Sequence, residues 1–131
     1  MMTDEIHILP TDKTPEILLN PNGIIKIKGR GLMVNETEVP KQIMNWIDAY
    51  LSNPAEITNI IIAFEYLNSF STIIVVSILK KLSQVTQQTK KFVIQWYYEH
   101  DDYDILERGE YISLTFDIPI KFVMTNNIAD C

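Results

Sequence analysis

Three hydroxyl side chains stand close together directly after a run of apolar residues. Ser69, Ser71 and Thr72 follow Asn68. Such residues are typical N-capping groups, because their oxygens accept hydrogen bonds from free backbone N–H groups at a helix start. The same position also suits a phosphorylation site, since those N–H groups and the helix dipole favour an added phosphate. At the level of local chemistry both interpretations stay open.

The densest set of oxygen ligands in the chain is an acidic stretch between Glu99 and Glu110. Carboxylates bind hard divalent cations, so one hypothesis is a small metal-dependent hydrolase. Its acidic residues would be Asp101, Asp102, Asp104 and Glu107. The stretch lacks the glycine and spacing of a calcium loop, and no histidine-rich ligand set accompanies it. The other hypothesis is that the first two aspartates cap a helix while the remaining carboxylates face solvent or a partner.

Other catalytic arrangements have weaker support. A cysteine–histidine nucleophile would combine Cys131 with His7 or His100, which we interpret as a tail thiol and two surface histidines. Gly29-Arg30-Gly31 lacks the third glycine and the Lys-Ser/Thr of a phosphate-binding loop, so it predicts a turn. A single cysteine excludes an internal disulfide and a cysteine zinc cluster. No catalytic residue, metal or cofactor is therefore predicted.

Composition and charge narrow the function further. The 131 residues are 47% hydrophobic, which is typical of one globular domain, here 1–131. A net charge of −6 has the wrong sign for a nucleic-acid partner. The longest apolar run, Ile60–Phe64, is far shorter than the roughly 20 residues of a membrane span, and the N-terminus has no signal-peptide pattern. We therefore expect a cytoplasmic protein with no membrane or nucleic-acid partner.

Apolar periodicity and turn signals predict the element order ββαβαβαβ. The predicted strands cover 16–19, 24–29, 57–67, 90–98 and 120–124. The first predicted helix begins at Asn35 or Thr37, has Pro40 in its first turn and ends before Asn53-Pro54. The second begins at residues 68–71 and ends near Gln88. The third extends from Asp101 to about Leu114, and Gly109 weakens it. Residues 57–67 are apolar on both faces, which predicts a central strand in a sheet covered by helices. Right-handed crossovers then give an α/β fold with a mostly parallel sheet and an N-terminal β-hairpin.

Two motifs resemble a known family. Residues 65–71, EYLNSFS, are similar to the motif EYFNTSS of the SiaC-type regulatory phosphoproteins of bacteria, which in turn resemble the STAS-domain anti-sigma-factor antagonists. The segment from Trp96 to Glu110 is similar to that family's WYYE…DxDxxxExGE, and Trp46 and Tyr50 match its WxxxY. The resemblance extends from residue 14 to residue 122, and it implies a STAS-like fold.

The resemblance also implies a regulatory role. The family pattern implies phosphorylation by a dedicated protein kinase on the hydroxyl after the asparagine, which is Ser69 here, and dephosphorylation by a PP2C-type phosphatase. In the best-known case, the unmodified family member binds and activates a diguanylate cyclase. Phe70 stands where the family carries the first serine after the acceptor.

These observations lead to a hypothesis of a non-enzymatic, phosphorylation-controlled binding switch. The unmodified surface would comprise Asn68, Ser69, Phe70, Ser71 and Thr72, and a phosphate would disrupt it through charge repulsion and desolvation. The metal-dependent hydrolase is the alternative from another class of protein. A third hypothesis is an interaction module that keeps the fold but has no cognate kinase.

Overall fold

The computed structural model describes residues 4–34 and 38–131, which form six strands and three α-helices. The strands are β1 (Ile6–Ile8), β2 (Glu16–Asn20), β3 (Ile24–Gly31), β4 (Ile57–Leu67), β5 (Lys91–Glu99) and β6 (Lys121–Thr125). The helices are α1 (Glu38–Leu51), α2 (Ser69–Leu82) and α3 (Tyr103–Phe116), with 3₁₀ helices at Ser83–Gln88 and Ile128–Asp130.

The strands lie in the sheet in the same order as in the chain. Strands β1 to β3 pair antiparallel, whereas β3 to β6 pair parallel, which confirms the mixed, mostly parallel sheet with an N-terminal hairpin. The hairpin turn contains Gly23 at φ +98°, a left-handed conformation that glycine adopts without strain. Strand β1 was not predicted from sequence, because three residues are too few for a periodic signal.

The prediction of a turn at Gly29-Arg30-Gly31 is wrong. These residues continue β3, with a register shift between Gly29 and Arg30 that marks a β-bulge. Beyond the bulge, Gly31 pairs with Leu67 at the end of β4. The end of the longer β3 therefore lies beside the start of α2, where the predicted hydroxyl site lies, and the Asn68 N–H donates to the Gly31 carbonyl at 2.8 Å.

The main core lies between the sheet and the helices. Successive crossovers run in one direction along the sheet, so right-handed connections place all three helices on one face. Trp96 of β5 is completely buried there, and its indole N–H donates to the Ile105 carbonyl of α3 at 3.0 Å. On α1, Trp46 stacks on Tyr50 with ring centroids 5.1 Å apart, so the WxxxY pair is a packing feature.

The opposite face of the sheet has a different cover. Ile128 is buried outside the main core, in the 3₁₀ helix that contacts β3, β4 and β5. Its backbone N–H donates to Glu99 Oε2 at 2.9 Å, and Lys28 Nζ donates to the Ala129 carbonyl at 2.7 Å. Strand β4 is central, as predicted, but the chain's C-terminal segment covers part of the face that we expected helices to cover.

The helix ends differ slightly from their predictions. Helix α2 is α-helical only to Leu82 and continues as a 3₁₀ helix to Gln88, while α3 begins after Asp102 and includes Gly109. The predicted caps of α1, Asn35 and Thr37, lie outside the described residues. Among the helices of the described ranges, none has the length and apolar character needed to cross a membrane.

Candidate functional site

The start of α2 is organised by Asn68. This residue has extended backbone geometry, and its side-chain oxygen accepts a hydrogen bond from the Ser71 backbone N–H at 2.8 Å. The Thr72 hydroxyl donates to the Asn68 carbonyl at 2.8 Å. Asn68 is therefore the N-cap of α2. The capping interpretation of this segment is correct for the Asn68 side chain.

Ser71 is a buried support rather than a surface group. Its side chain has no exposed area, and its hydroxyl oxygen accepts a hydrogen bond from the Met33 N–H at 3.1 Å. Asn68 Nδ2 donates to the Met33 carbonyl at 2.9 Å. Both backbone groups of Met33 are thus tied to the start of α2. The sequence-based hypothesis places Ser71 on the partner-binding surface, and this burial removes it from that surface.

Ser69 is the exposed hydroxyl of this segment. It is the first residue of α2, whereas Phe70 and Thr72 are half-buried beside it. Its position after the N-cap means that the helix already forms without help from the Ser69 side chain. A group attached to Ser69 Oγ would therefore extend into solvent without displacing a capping contact.

A cleft between α2 and α3 opens at Ser69. Ser69, Thr72 and Ile73 line one wall. The opposite wall comprises Asp104, Glu107, Arg108 and Tyr111. Two carboxylates and one guanidinium thus line the same cleft as Ser69, and the cleft carries excess negative charge from these groups.

Arg108 connects the two walls to the sheet. Its Nη1 donates to the Leu67 carbonyl at the end of β4 at 2.7 Å, and its Nε donates to Asp104 Oδ2 at 3.2 Å. Asp104 lies four residues before it on the same helix, a spacing at which side chains meet. The guanidinium therefore anchors the first turns of α3 beside the start of α2.

Farther from Ser69 the cleft becomes apolar. Ile73 and Tyr111 are 66% and 64% exposed, and Val76 and Phe116 continue the same surface. Lys80 lies over the Phe116 ring, 5.4 Å from its centroid. We call this apolar part, defined by Ile73, Val76, Tyr111 and Phe116, the α2–α3 groove. Exposed side chains of this size in contiguous positions are typical of a protein-binding surface.

The family to which the chain belongs follows from a sequence comparison. The model of the SiaC family of regulatory phosphoproteins matches residues 8–125. The chain belongs to the SiaC family. The match covers every strand from β2 to β6 and all three helices, so the cleft described above lies wholly within the family's domain.

Solved structures agree with this SiaC fold. Apo-SiaC from Pseudomonas aeruginosa is 23% identical, with a TM-score of 0.77, and the alignment covers 93% of this chain and 98% of that one. A chain in the crystal structure of diguanylate cyclase SiaD in complex with its activator SiaC, from the same organism, is 21% identical, with a TM-score of 0.82 and coverage of 92% and 99%. No curated protein matches the sequence significantly.

The acidic stretch of this SiaC family member has structural roles. Asp102 Oδ1 accepts the Ile105 N–H at 3.1 Å and caps α3, as the capping hypothesis predicts. Glu99 accepts from Ile128, and Asp104 pairs with Arg108. Within residues 4–34 and 38–131, no three of the histidine, cysteine or acidic side chains are grouped so that they could hold a metal ion. The described residues therefore supply no ligand set for the hydrolase alternative.

Sequence reasoning missed two parts of the site. Arg108 was overlooked because its contact with the Leu67 carbonyl joins residues 41 positions apart. The α2–α3 groove had a visible signal, since α2 carries apolar residues on more than its buried face, including Ile73 and Val76. A helix that is apolar on several sides packs against more than one surface.

Proposed function

We propose that this protein is a non-enzymatic binding switch controlled by phosphorylation of Ser69. A cognate protein kinase would add the phosphate, and a PP2C-type phosphatase would remove it by hydrolysis. The unmodified form would bind an output partner such as a diguanylate cyclase. Membership in a family of regulatory phosphoproteins supports the proposal, and in Pseudomonas aeruginosa the protein SiaC is the activator of the diguanylate cyclase SiaD.

The observation that carries the proposal is the exposure of Ser69 beside two hydroxyls that are already engaged. Ser71 bonds to Met33 and Thr72 bonds to Asn68, so phosphorylating either would disrupt the helix start. Ser69 is exposed at the first helical position, where a kinase can reach it. The backbone dipole of α2 also favours negative charge at this end.

The proposed effect of the phosphate is electrostatic. It would add about −1.5 to −2 charges at neutral pH to a cleft that already contains Asp104 and Glu107. A partner that buries this region must then desolvate the phosphate. Leaving a buried charge without a partner costs several kcal/mol, on the order of 3–5 kcal/mol, whereas about 1.4 kcal/mol already weakens binding tenfold.

The α2–α3 groove supplies the apolar part of the proposed partner-binding surface. It continues directly from Ser69 through Thr72 and Ile73, so one partner could cover both regions. The surface that we propose thus contains Asn68, Ser69, Phe70 and Thr72, and it extends along the groove. This arrangement would let a small modification at one end control binding energy that comes mainly from the other.

Mass spectrometry tests the modification. The protein is purified from its native cells under phosphatase inhibition, and its intact mass and fragments are measured. A phosphate on Ser69 in some growth condition is the expected result. If the protein is never modified at Ser69 under any condition, the switch is refuted and the interaction module without a kinase becomes the better account.

Binding measurements test the consequence. We expect Ser69→Asp to bind the output partner at least about tenfold more weakly than Ser69→Ala, because of the added charge. Ser52→Asp is the matched control, since it adds the same charge to an exposed serine just after α1, which lines neither the Ser69 cleft nor the α2–α3 groove. Equal affinity of the two Ser69 variants contradicts the proposal, as does an equal loss in the control.

A further inference from the structure

Arg108 holds an unusual place for a guanidinium beside a proposed phosphorylation site. Its Nη1 donates to a neutral backbone carbonyl, that of Leu67, and its Nε donates to the exposed carboxylate of Asp104. The Arg108 side chain is 39% exposed and that of Asp104 is 73% exposed. The contact with Asp104 is exposed and is exchanged at small cost, whereas the contact with the Leu67 carbonyl is part-buried, so a new acceptor must outweigh the loss of that bond.

The same guanidinium lies close to Ser69. Leu67, its carbonyl acceptor, precedes Ser69 by two residues, a separation of at most about 7 Å along the chain. Arg108 and Ser69 also line the same cleft. Among the seven residues that line it, Arg108 is the one that carries positive charge. A phosphate on Ser69 would thus enter a space that already contains a guanidinium.

A phosphate is a better acceptor for Arg108 than either present partner. The guanidinium is planar and presents its N–H donors in a fork that matches two phosphate oxygens. The Leu67 carbonyl is a neutral acceptor, whereas a phosphate adds the attraction between opposite charges to its hydrogen bonds with the guanidinium. The dianion also carries more charge than the Asp104 carboxylate.

We propose that Arg108 is the receptor for the phosphate on Ser69 and that it leaves the Leu67 carbonyl to bind it. The inference rests on the proposed function, because it concerns the phosphorylated form. Phosphorylation would then exchange a tether between α3 and β4 for a tether between α3 and α2. The opposite wall of the cleft, including Tyr111, lies on α3 and would change position together with Arg108.

The exchange connects the modification with the apolar surface. Tyr111 lies one turn after Arg108 on α3 and lines both the Ser69 cleft and the α2–α3 groove. A shift of this helix alters the groove at a distance from the phosphate itself. The phosphate would act on partner binding through the shape of the groove as well as through its own charge.

Titration of the phosphate by ³¹P NMR tests Arg108 directly. The full chain is produced with phosphoserine at position 69 by genetic code expansion, in wild-type, Arg108→Gln, Arg108→Lys and Lys80→Gln backgrounds. Lys80→Gln is the control, because it removes one positive charge from the far end of α2, beside Phe116. The second pKa of the phosphate, ordinarily about 6, is read from the pH dependence of its chemical shift.

A nearby cation such as Arg108 lowers the second pKa of the phosphate, whereas the Asp104 and Glu107 carboxylates raise that pKa. We expect the pKa to be higher in Arg108→Gln than in wild type by about half a unit or more, with Arg108→Lys in between and Lys80→Gln unchanged. Asp104→Asn should lower the phosphate pKa below the wild-type value, because it removes both a repulsive charge and a competing acceptor. Thermal unfolding of each unmodified variant establishes that it folds.

The outcomes separate this inference from the proposed function. A pKa that is the same in wild type and Arg108→Gln, with both proteins folded, overturns the role of Arg108 and leaves the switch standing. An equal rise in Lys80→Gln also overturns it, since the effect would then reflect net charge. The phosphoserine is installed during translation, so the result of the ³¹P titration does not depend on a kinase. Absence of phosphate on Ser69 in native cells would refute the switch but would not decide whether Arg108 binds the phosphate.

Discussion

Replacing Gly109 by alanine tests how closely α3 must approach the sheet. A Cβ at this position would lie 2.7 Å from Phe122 Cε1, 2.7 Å from Trp96 Cε2 and 2.8 Å from Trp96 Nε1. These atoms belong to rigid rings rather than to the ends of flexible side chains. Trp96 is completely buried, and its N–H is bonded to the Ile105 carbonyl, so its indole cannot move aside alone.

Two opposing effects decide the sign of the change. Alanine in a helix interior is favoured over glycine by about 1 kcal/mol. Overpacking of a tight core costs about 1–3 kcal/mol, and displacing Trp96 would also strain its hydrogen bond, which contributes roughly 1 kcal/mol. The steric cost exceeds the propensity gain, so we expect Gly109→Ala to lower the free energy of unfolding by about 1–2 kcal/mol.

Equilibrium denaturation with urea measures this difference. Glu110→Ala is the matched control, because it introduces alanine at the next residue of α3, on the exposed side, and should stay within about 0.5 kcal/mol of wild type. If Gly109→Ala is instead more stable than wild type by about 1 kcal/mol, helix propensity governs this position. The argument from the close approach to Trp96 would then be refuted.

Two further predictions concern the start of α2 and the edge of the sheet. Asn68→Ala should lower the free energy of unfolding by about 1–2 kcal/mol, because it removes the cap bond from the Ser71 N–H and the bond to the Met33 carbonyl. Urea denaturation measures this loss. The variant Asn68→Asp keeps the cap, so its free energy of unfolding shows whether the cap bond dominates. The hydrogen bond with His7 at 2.8 Å lowers the pKa of Glu16 below its ordinary value of 4.5. The ionised Glu16 carboxylate therefore stabilises the fold at pH values above 4.5, and this stabilisation is lost as the pH falls through the lower pKa of the folded state. The melting temperature of wild type should therefore fall more steeply with acidification than that of Glu16→Gln, and parallel pH profiles would count against this contact.

Local sequence signals predicted most elements correctly, and their errors have physical causes. The apolar run in β4 identified the central strand, although it could not show that a C-terminal segment rather than helices covers part of one face. Gly29-Arg30-Gly31 contains two residues typical of turns, yet parallel pairing with β4 holds it in the strand as a β-bulge. Gly109 was expected to weaken α3, whereas its missing side chain is what permits the close packing on Trp96.

The sequence by itself determined the order of all elements except β1, the two short segments that contain the N-caps Asn68 and Asp102, and the motif that includes Ser69. These depend on contacts within a few residues, such as the 2.8 Å bond from the Ser71 N–H to Asn68. Only the tertiary structure decided that Ser71 is buried against Met33, that Arg108 reaches Leu67, and that Ile73 and Tyr111 remain exposed in a shared groove. The physical reason is that these features depend on the relative placement of separate helices and strands, which packing sets and local chain chemistry does not encode.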